Sequence, residues 1–268
     1  MTIRLTKHHA FGNDFLVTFA DIDDPDAPAL ARRWCDRRRG VGADGLLIAR
    51  EADGVDAVMV LFNADGSRAE MSGNGIRCFA QAVAARRPVA LDELRILTDA
   101  GERLVTMHPT QAPDTIEASV DMGAVEPIDP PAGWAALGTH PDRPVAHLSV
   151  GNPHAVVGVD EVAAVDLVAL GTKVPQVNLE IVEPGPEPGA VTMRVHERGA
   201  GITAACGTGA CAVAWAAAKW GLVGAGTEEL VVHMDGGSAS VTLNRPAPGH
   251  VTLRGPATFI ATVDVITS

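Results

Sequence analysis

The chain contains the stretch Asn63-Ala-Asp-Gly-Ser-Arg-Ala-Glu-Met-Ser72-Gly-Asn-Gly75, and its pattern returns as Glu197-Arg-Gly-Ala-Gly-Ile-Thr-Ala-Ala-Cys206-Gly-Thr-Gly209. The offset from Asn63 to Ser72 equals the offset from Glu197 to Cys206. Each stretch ends in a small nucleophilic residue followed by Gly-x-Gly, and each leads into an Ala-rich run that is typical of a helix. The equal offsets indicate a duplicated half, with one helix start in each copy.

Outward from these two turns, the chain shows many short apolar runs and few helix-forming ones. The predicted helices are Ala27–Arg37, Gly75–Arg86, Val162–Leu170 and Gly209–Trp220. The predicted strands are Phe15–Phe19, Gly45–Ala49, Ala57–Phe62, Arg95–Thr98, Leu104–Met107, Thr115–Val120, His147–Val150, Ala155–Val159, Gln176–Val182, Ala190–Val195, Glu229–His233, Ala239–Leu243 and His250–Leu253. Because strands and helices do not alternate strictly, the pattern predicts an α+β fold.

Composition limits the classes of function. Of the 268 residues, 47% are hydrophobic and the formal net charge is −12, which is typical of a folded protein and unlike a nucleic-acid-binding one. No apolar run reaches the roughly 20 residues that a membrane span needs. The N-terminal residues from Met1 to Lys7 lack the profile of a signal peptide. We therefore expect a cytoplasmic protein without a nucleic-acid or membrane partner.

The cysteines are Cys35, Cys78, Cys206 and Cys211. No C-x-x-C pair is present, so the sequence predicts no zinc site. Cys35, Cys78 and Cys211 are interpreted as small buried hydrophobic residues. Cys206 is set apart because it stands at a predicted helix start.

The chemistry of the two turns follows from their position. The first amides of a helix lack intrahelical acceptors and carry partial positive charge, so each turn is suited to an amino-acid carboxylate. The same field predicts a lowered pKa for Cys206, whose thiolate would then serve as a general base. A hydroxyl is a poor base, and Ser72 by itself is better interpreted as a helix N-cap.

Two further residues are candidates for adjusting the thiol. His154 lies in the turn Gly151-Asn-Pro-His154, where a histidine could hold a proton near a cysteine or simply bond to backbone. Glu197 could act in the same way or be a solvated charge on a loop. Neither residue decides between these alternatives alone.

At these residues the chain resembles the diaminopimelate epimerase family, which interconverts LL- and meso-diaminopimelate without pyridoxal phosphate or a metal. The resemblance covers nearly the whole chain, with its motifs in the family's order. These motifs are Gly12-Asn-Asp-Phe15, Gly42-Ala-Asp-Gly45, Asn63-Ala-Asp-Gly66, Gly73-Asn-Gly-Ile-Arg77, Gly151-Asn-Pro-His154, Val177-Asn178, Glu197-Arg-Gly-Ala-Gly201 and Ala205-Cys-Gly-Thr-Gly-Ala210.

The resemblance implies roles for individual residues. Cys206 matches one of two catalytic cysteines that exchange the α-proton on opposite faces, and His154 and Glu197 match residues that adjust cysteine pKa values. The amides of Gly73, Asn74, Gly207 and Thr208 match the cradle of the α-carboxylate. The remaining substrate-binding matches are Asn13, Asn63, Asn152, Asn178 and Arg198.

The resemblance also implies an architecture. We expect two pseudo-symmetric lobes, each a mixed β-sheet wrapped around a central helix, with the active site in the cleft between them. The N-terminal lobe is expected over residues 1–115, completed by a C-terminal strand at about 252–268, and the second lobe over 116–251. The resemblance favours a homodimer.

The chain departs from the family at Ser72, where the family normally has its other catalytic cysteine. Cys78 cannot replace it, because it falls well inside the helix. We expect a slower or direction-biased enzyme, or one that uses a relayed water. Ile202 replaces a commonly acidic residue and has no assigned role.

Three functions therefore stay open. The first is a diaminopimelate epimerase that works through Cys206 with Ser72 opposite. The second is an isomerase or eliminating enzyme for another amino acid, and the third is an amino-acid-binding homologue without catalysis. No organic cofactor is expected, since no nucleotide-binding glycine loop is present and Lys7, Lys173 and Lys219 have no pyridoxal phosphate context.

Overall fold

The computed structural model describes residues 2–87 and 92–266. The expected lobe limits at Met1 and Ser268 lie outside the described residues. The chain divides into two compact units. The first unit runs up to Val120 and includes the chain from Gly255 onward, and the second unit is Asp121–Arg254.

The described chain is mostly β-sheet. Its α-helices are α1 (Ala27–Cys35), α2 (Gly73–Ala84), α3 (Leu167–Gly171) and α4 (Gly207–Trp220), with short 3₁₀ turns at Trp134–Leu137 and Val162–Ala164. Its strands are β1 (Thr2–Ala10), β2 (Asn13–Thr18), β3 (Gly45–Arg50), β4 (Ala57–Asn63), β5 (Arg68–Ala69), β6 (Glu93–Thr98), β7 (Gly101–Pro109), β8 (Thr115–Ala124), β9 (Glu126–Pro127), β10 (Val145–Ser149), β11 (Pro153–Gly158), β12 (Asn178–Pro184), β13 (Ala190–Glu197), β14 (Gly201–Thr203), β15 (Glu229–Met234), β16 (Gly237–Leu243) and β17 (His250–Ile266). The α+β prediction is therefore only partly right, because strands dominate.

The first unit is an eight-stranded closed barrel around α2. The strands follow the order β1, β2, β3, β4, β6, β7, β8 and β17, and β17 pairs back with β1. Helix α2 contacts β1, β2, β3, β4 and β7, and nearly all of its residues are buried. Its polar side chains Asn74, Arg77 and Gln81 are buried as well, and each of them is hydrogen-bonded, as buried polar groups generally are.

The second unit has the same pairing pattern. Its strands follow the order β9, β10, β11, β12, β13, β15, β16 and the start of β17, with the short β14 added to β13. Helix α4 contacts the strands from β10 to β13 as well as β15 and β16. Its many alanines let the strands approach the helix closely.

The pairings repeat element by element. In the first unit β2–β3 and β4–β6 are parallel, and in the second unit β11–β12 and β13–β15 are parallel. The central helix follows β5 in one unit and β14 in the other. The sequence repeat around Ser72 and Cys206 thus corresponds to equivalent places in two similar units.

The cysteines are all buried and none of the four forms a disulfide, which confirms the interpretation of Cys35, Cys78 and Cys211. Burial raises the pKa of Cys35 and of Cys78 to about 12. None of the helices in the described ranges is long and apolar enough to cross a bilayer.

Candidate active site

Cys206 is the N-cap of α4. Its backbone is extended, at φ −126° and ψ 113°, and its Sγ accepts a hydrogen bond from the amide of Gly209 at 3.3 Å. The side chain is 4% exposed, so the thiol is nearly enclosed. The helix start predicted at Gly209 is two residues late, because the Gly-Thr-Gly turn is already helical.

The prediction of a lowered pKa for Cys206 is wrong. Burial raises the pKa of the thiol well above its ordinary value, and the carboxylates of Glu197 and Glu180 raise it further. Hydrogen bonds from Thr208 and from the Gly209 amide act in the opposite direction but are weaker. The sequence argument counted the helix field and could not count the loss of hydration or the two buried acids.

A chain of polar contacts leads away from the thiol. Sγ of Cys206 lies 3.4 Å from Oγ1 of Thr208, which also accepts from Nδ2 of Asn152 at 3.3 Å. Oδ1 of Asn152 lies 2.8 Å from Nε2 of His154. His154 is fully buried, and both its ring nitrogens meet side chains, so the alternative of a turn histidine bonded to backbone is wrong.

Glu180 is the last residue in this series of polar contacts, and it was not predicted from the sequence. Its Oε1 lies 2.7 Å from Nδ1 of His154, and the whole residue is buried on β12. Burial raises the pKa of the Glu180 carboxyl, while His154 acts against that rise. Its place between Leu179 and Ile181 gave no signal, since a glutamate in a strand usually faces solvent.

Glu197 and its neighbours form a second set of contacts at the end of β13. The half-buried Glu197 accepts a hydrogen bond from the hydroxyl of Thr203, so the alternative of a freely solvated charge is wrong. The amide of Arg198 donates to Oδ1 of the buried Asn178 at 2.8 Å. Ile202 is 37% exposed on β14, and nothing in the structure explains why it replaces a residue that is commonly acidic in the family.

Ser72 is the N-cap of α2, which confirms the cap interpretation. Its Oγ accepts from the amide of Gly75 at 3.0 Å, and its backbone is extended like that of Cys206. Gly73 and Asn74 occupy the first two helical positions, as Gly207 and Thr208 do in α4. The two caps therefore share one geometry and differ in the chemistry of one atom.

A polar network surrounds the start of α2. Nδ2 of Asn74 donates to Oδ1 of Asn13 at 3.3 Å, and Nδ2 of Asn13 donates to Asp44 at 2.9 Å. The guanidinium of Arg77 is fully buried and donates to Oδ1 of Asn74 at 2.8 Å. Asp44 and the buried charge of Arg77 were not predicted as site residues.

Asn63 stands apart from this network. It is exposed at the end of β4, and its Nδ2 donates to Oγ of Ser67 at 2.9 Å. Within the first unit the structure thus joins Asn13 to Asn74, and within the second it joins Cys206, Thr208, Asn152 and His154.

Solved structures share this fold. A phenazine biosynthesis protein of the PhzF family from Bacillus anthracis is similar with a TM-score of 0.77 and 15% identity, over 100% of both chains. A hydroxyproline epimerase from Agrobacterium vitis is similar with a TM-score of 0.71 and 16% identity, over 98% of this chain and 91% of that one. These likenesses define the class of fold, a strand-rich one that epimerases also use.

Sequence comparison is more specific. The family model for diaminopimelate epimerase matches residues 5–128 and 147–260. Diaminopimelate epimerases of Synechococcus elongatus and Mycobacterium bovis are 38% and 39% identical, and each alignment covers 96% or more of both chains. The chain belongs to the diaminopimelate epimerase family.

Proposed function

We propose that this protein is a diaminopimelate epimerase. It would interconvert LL- and meso-2,6-diaminopimelate by removing the α-proton on one face and returning a proton on the other, a step of lysine and cell-wall precursor biosynthesis. The observation that carries the proposal is a matched pair of helix N-caps, Ser72 and Cys206, in a chain that belongs to this family.

Cys206 is the proposed base. Its raised pKa means that the enclosed thiol holds its proton in the unliganded protein, so ionisation has to accompany the arrival of substrate. The helix N-terminus and the Gly209 amide favour the thiolate once it forms. His154 and Glu197 are proposed to adjust this ionisation, as the resemblance implies.

Ser72 is the proposed acid of the opposite face. A hydroxyl holds its proton far more tightly than a thiol, so proton return there is the slow half of the reaction. The cap hydrogen bond from Gly75 holds Oγ at the helix start, where partial positive charge eases its ionisation. We therefore propose a slower enzyme than one with two cysteines.

Substrate binding divides between backbone and side chains. The first amides of α2 and α4 are proposed to hold the α-carboxylate, since helix N-termini favour anions. The residues of this cradle are Gly73, Asn74, Gly207 and Thr208. Asn13, Asn63, Asn152, Asn178 and Arg198 are proposed to hold the rest of the amino acid.

Three further proposals remain. A cytoplasmic location follows from the composition and the N-terminal sequence, while a homodimer and lobe limits near residues 115 and 252 follow from the resemblance.

Incubation with LL- and with meso-diaminopimelate in deuterated water tests the reaction. Both the label at Cα and the configuration are followed by NMR and chiral chromatography. Label with inversion is the expected result. Label without inversion would mean that Cys206 exchanges the proton and Ser72 fails to act, while binding without label would indicate a binding protein.

Matched cysteine variants identify the base. Cys206→Ala removes the proposed base and should abolish label. Cys211→Ala removes another buried thiol of the same helix and should retain label. Exchange that survives Cys206→Ala would contradict the proposed role of Cys206.

A further inference from the structure

The two units offer an internal comparison of the residues beneath each helix start. Strand β2 pairs with β3 so that Phe15 lies opposite Gly45, and β11 pairs with β12 so that His154 lies opposite Asn178. Phe15 and His154 close equivalent turns, because Gly12 and Gly151 both have φ of +82° three residues earlier. Phe15 is thus the counterpart of His154.

By the same strand registers, Leu47 is the counterpart of Glu180. Leu47 lies two residues after Gly45, as Glu180 lies two residues after Asn178. The next strands agree, because Leu47 is opposite Leu61 and Glu180 is opposite Val195. Leu61 and Val195 stand two residues before Asn63 and Glu197, which begin the repeated stretches.

Equivalent positions in the two units therefore carry two different pairs of side chains. The first unit has the buried apolar pair Phe15 and Leu47, and the second has the fully buried polar pair His154 and Glu180. The first unit shows that two apolar side chains can fill these positions of the fold. A buried carboxylate costs free energy of hydration that leucine does not, so packing alone does not account for Glu180.

Contacts place the Glu180 carboxylate beside the thiol. A Cβ built on Gly209 would lie 2.8 Å from Oε1 of Glu180 and 3.2 Å from Sγ of Cys206, so both groups flank the same glycine. Oε1 also meets Nδ1 of His154 at 2.7 Å. Oε2 is buried and finds no hydrogen-bond partner among the residues that the structure describes.

We propose that Glu180 is a positioning residue for the reaction proposed above: it holds His154, and through it Asn152 and Thr208, and it places a buried carboxylate beside the Cys206 thiol. Only the effect of Glu180 on catalysis rests on the proposed function; its contacts with His154 and its place beside the thiol do not. The fixed imidazole orients the amide of Asn152, whose Nδ2 donates to Thr208 beside the thiol.

The electrostatics agree with this geometry. The titratable groups around Cys206 are Glu197 on β13, Glu180 on β12 and His154 on β11. Both carboxylates raise the pKa of the thiol, after burial as the main cause. A nearby negative charge opposes formation of a thiolate, and the effect is large where water is excluded.

The test is the isosteric variant Glu180→Gln, which keeps the shape and an acceptor oxygen but removes the charge. Thiolate absorbance at 240 nm is followed against pH, and the same titration of Cys206→Ser is subtracted to isolate Cys206. We expect the measured pKa of the Cys206 thiol to fall by about 1. Glu183→Gln, three residues along the same strand, is the matched control and should leave the titration in place.

Thermal unfolding separates positioning from structure. Glu180→Gln should keep or raise Tm, and so should the double variant Glu180→Leu with His154→Phe, which copies the pair of the first unit. An unmoved thiol titration in Glu180→Gln would overturn the proposal, as would unfolding of either variant. The titration needs no substrate, so an inactive wild-type protein would count against the proposed function and not against this inference.

Activity gives the last readout. If the wild-type protein epimerises diaminopimelate, Glu180→Gln should move the rising limb of its kcat/KM profile to lower pH by the same amount as the thiol. A purely structural residue would lower the whole profile without moving its limb. That result would also overturn the proposal.

Discussion

Cys206 and Ser72 occupy equivalent helix caps, yet a thiol and a hydroxyl differ widely in how readily they release a proton. Each accepts a hydrogen bond from the amide three residues on, at 3.3 Å for Cys206 and 3.0 Å for Ser72. The cap geometry accepts sulfur in one unit and oxygen in the other. Replacing one atom in the first unit should therefore change the chemistry without disturbing the helix.

Ser72→Cys tests this at a single residue. We expect the epimerisation rate to rise by about tenfold or more, because a thiol releases its proton more readily than a hydroxyl and its thiolate is far more accessible as a base than an alkoxide. Initial rates from LL- and from meso-diaminopimelate should rise together, since the equilibrium constant does not change. Ser240→Cys, on β16 in the second unit, is the control and should leave the rate unchanged. A slower Ser72→Cys enzyme would contradict the role given to Ser72.

Some of the candidate site could be predicted from single residues, and some could not. Ser72 and Cys206 were predicted because Gly-x-Gly before an Ala-rich run marks a helix start. Glu180 was missed because its burial depends on β12 being covered by α4, a long-range contact that no local pattern encodes. The raised pKa of Cys206 was not predicted for the same reason, since its causes are burial and the carboxylates of Glu180 and Glu197, which lie on two strands distant in sequence.

Among the elements, each predicted helix overlaps a helix of the structure, but Val162–Leu170 is divided into a 3₁₀ turn at Val162–Ala164 and α3 at Leu167–Gly171. Helix α2 was predicted two residues late at both ends, while β1 was missed entirely. The sequence of β1 alternates polar and apolar residues weakly, and its stability comes from pairing with β2 and β17. Strand β17 runs over His250–Ile266, but the apolar pattern predicted only its first four residues, because Gly255 and Pro256 resemble a break. The rest of the strand was expected only from the resemblance, at about 252–268.

The first turn of α4 depends on the absence of a side chain at Gly209. We expect Gly209→Ala to lower kcat/KM by about a hundredfold, because its methyl would lie 2.8 Å from Oε1 of Glu180 and 3.2 Å from the Cys206 thiol. Steady-state kinetics and thermal unfolding measure the effect. Gly224→Ala is the matched control, since its nearest neighbour would be Oγ1 of Thr227 at 3.6 Å. Equal activity in the two variants would show that the packing at Gly209 does not matter.

At the scale of the whole molecule, the repeat explains how one chain holds two similar helix starts with unlike surroundings. Equivalent strands carry Phe15 and Leu47 in one unit and His154 and Glu180 in the other. The sequence predicted the duplication from its turns alone. It could not predict the contrast beneath the turns, because that depends on strand register, which the folded sheet sets.

The buried cysteines make stability depend on pH across the molecule. The pKa values of Cys35 and Cys78 are about 12 in the folded protein, against 9.0 for an ordinary thiol. The folded state therefore holds these protons more tightly than the unfolded chain. The stability that they contribute is complete below pH 9 and is lost as pH rises toward 12. The chain contains no tyrosine, so no phenol titrates in this window.

Unfolding by urea at pH 8 and at pH 10 measures this loss. Each of these two thiols should remove about 1.4 kcal/mol per pH unit above 9 from the free energy of unfolding, or roughly 3 kcal/mol together at pH 10. The Cys206 thiol, whose pKa burial also raises, should add to this loss. Cys78→Ala should be less stable than the wild-type protein at pH 8, because it leaves a small cavity, yet lose less stability between pH 8 and pH 10. The same loss in both proteins would mean that Cys78 ionises in the folded state as readily as in the unfolded chain, and that burial does not protect it.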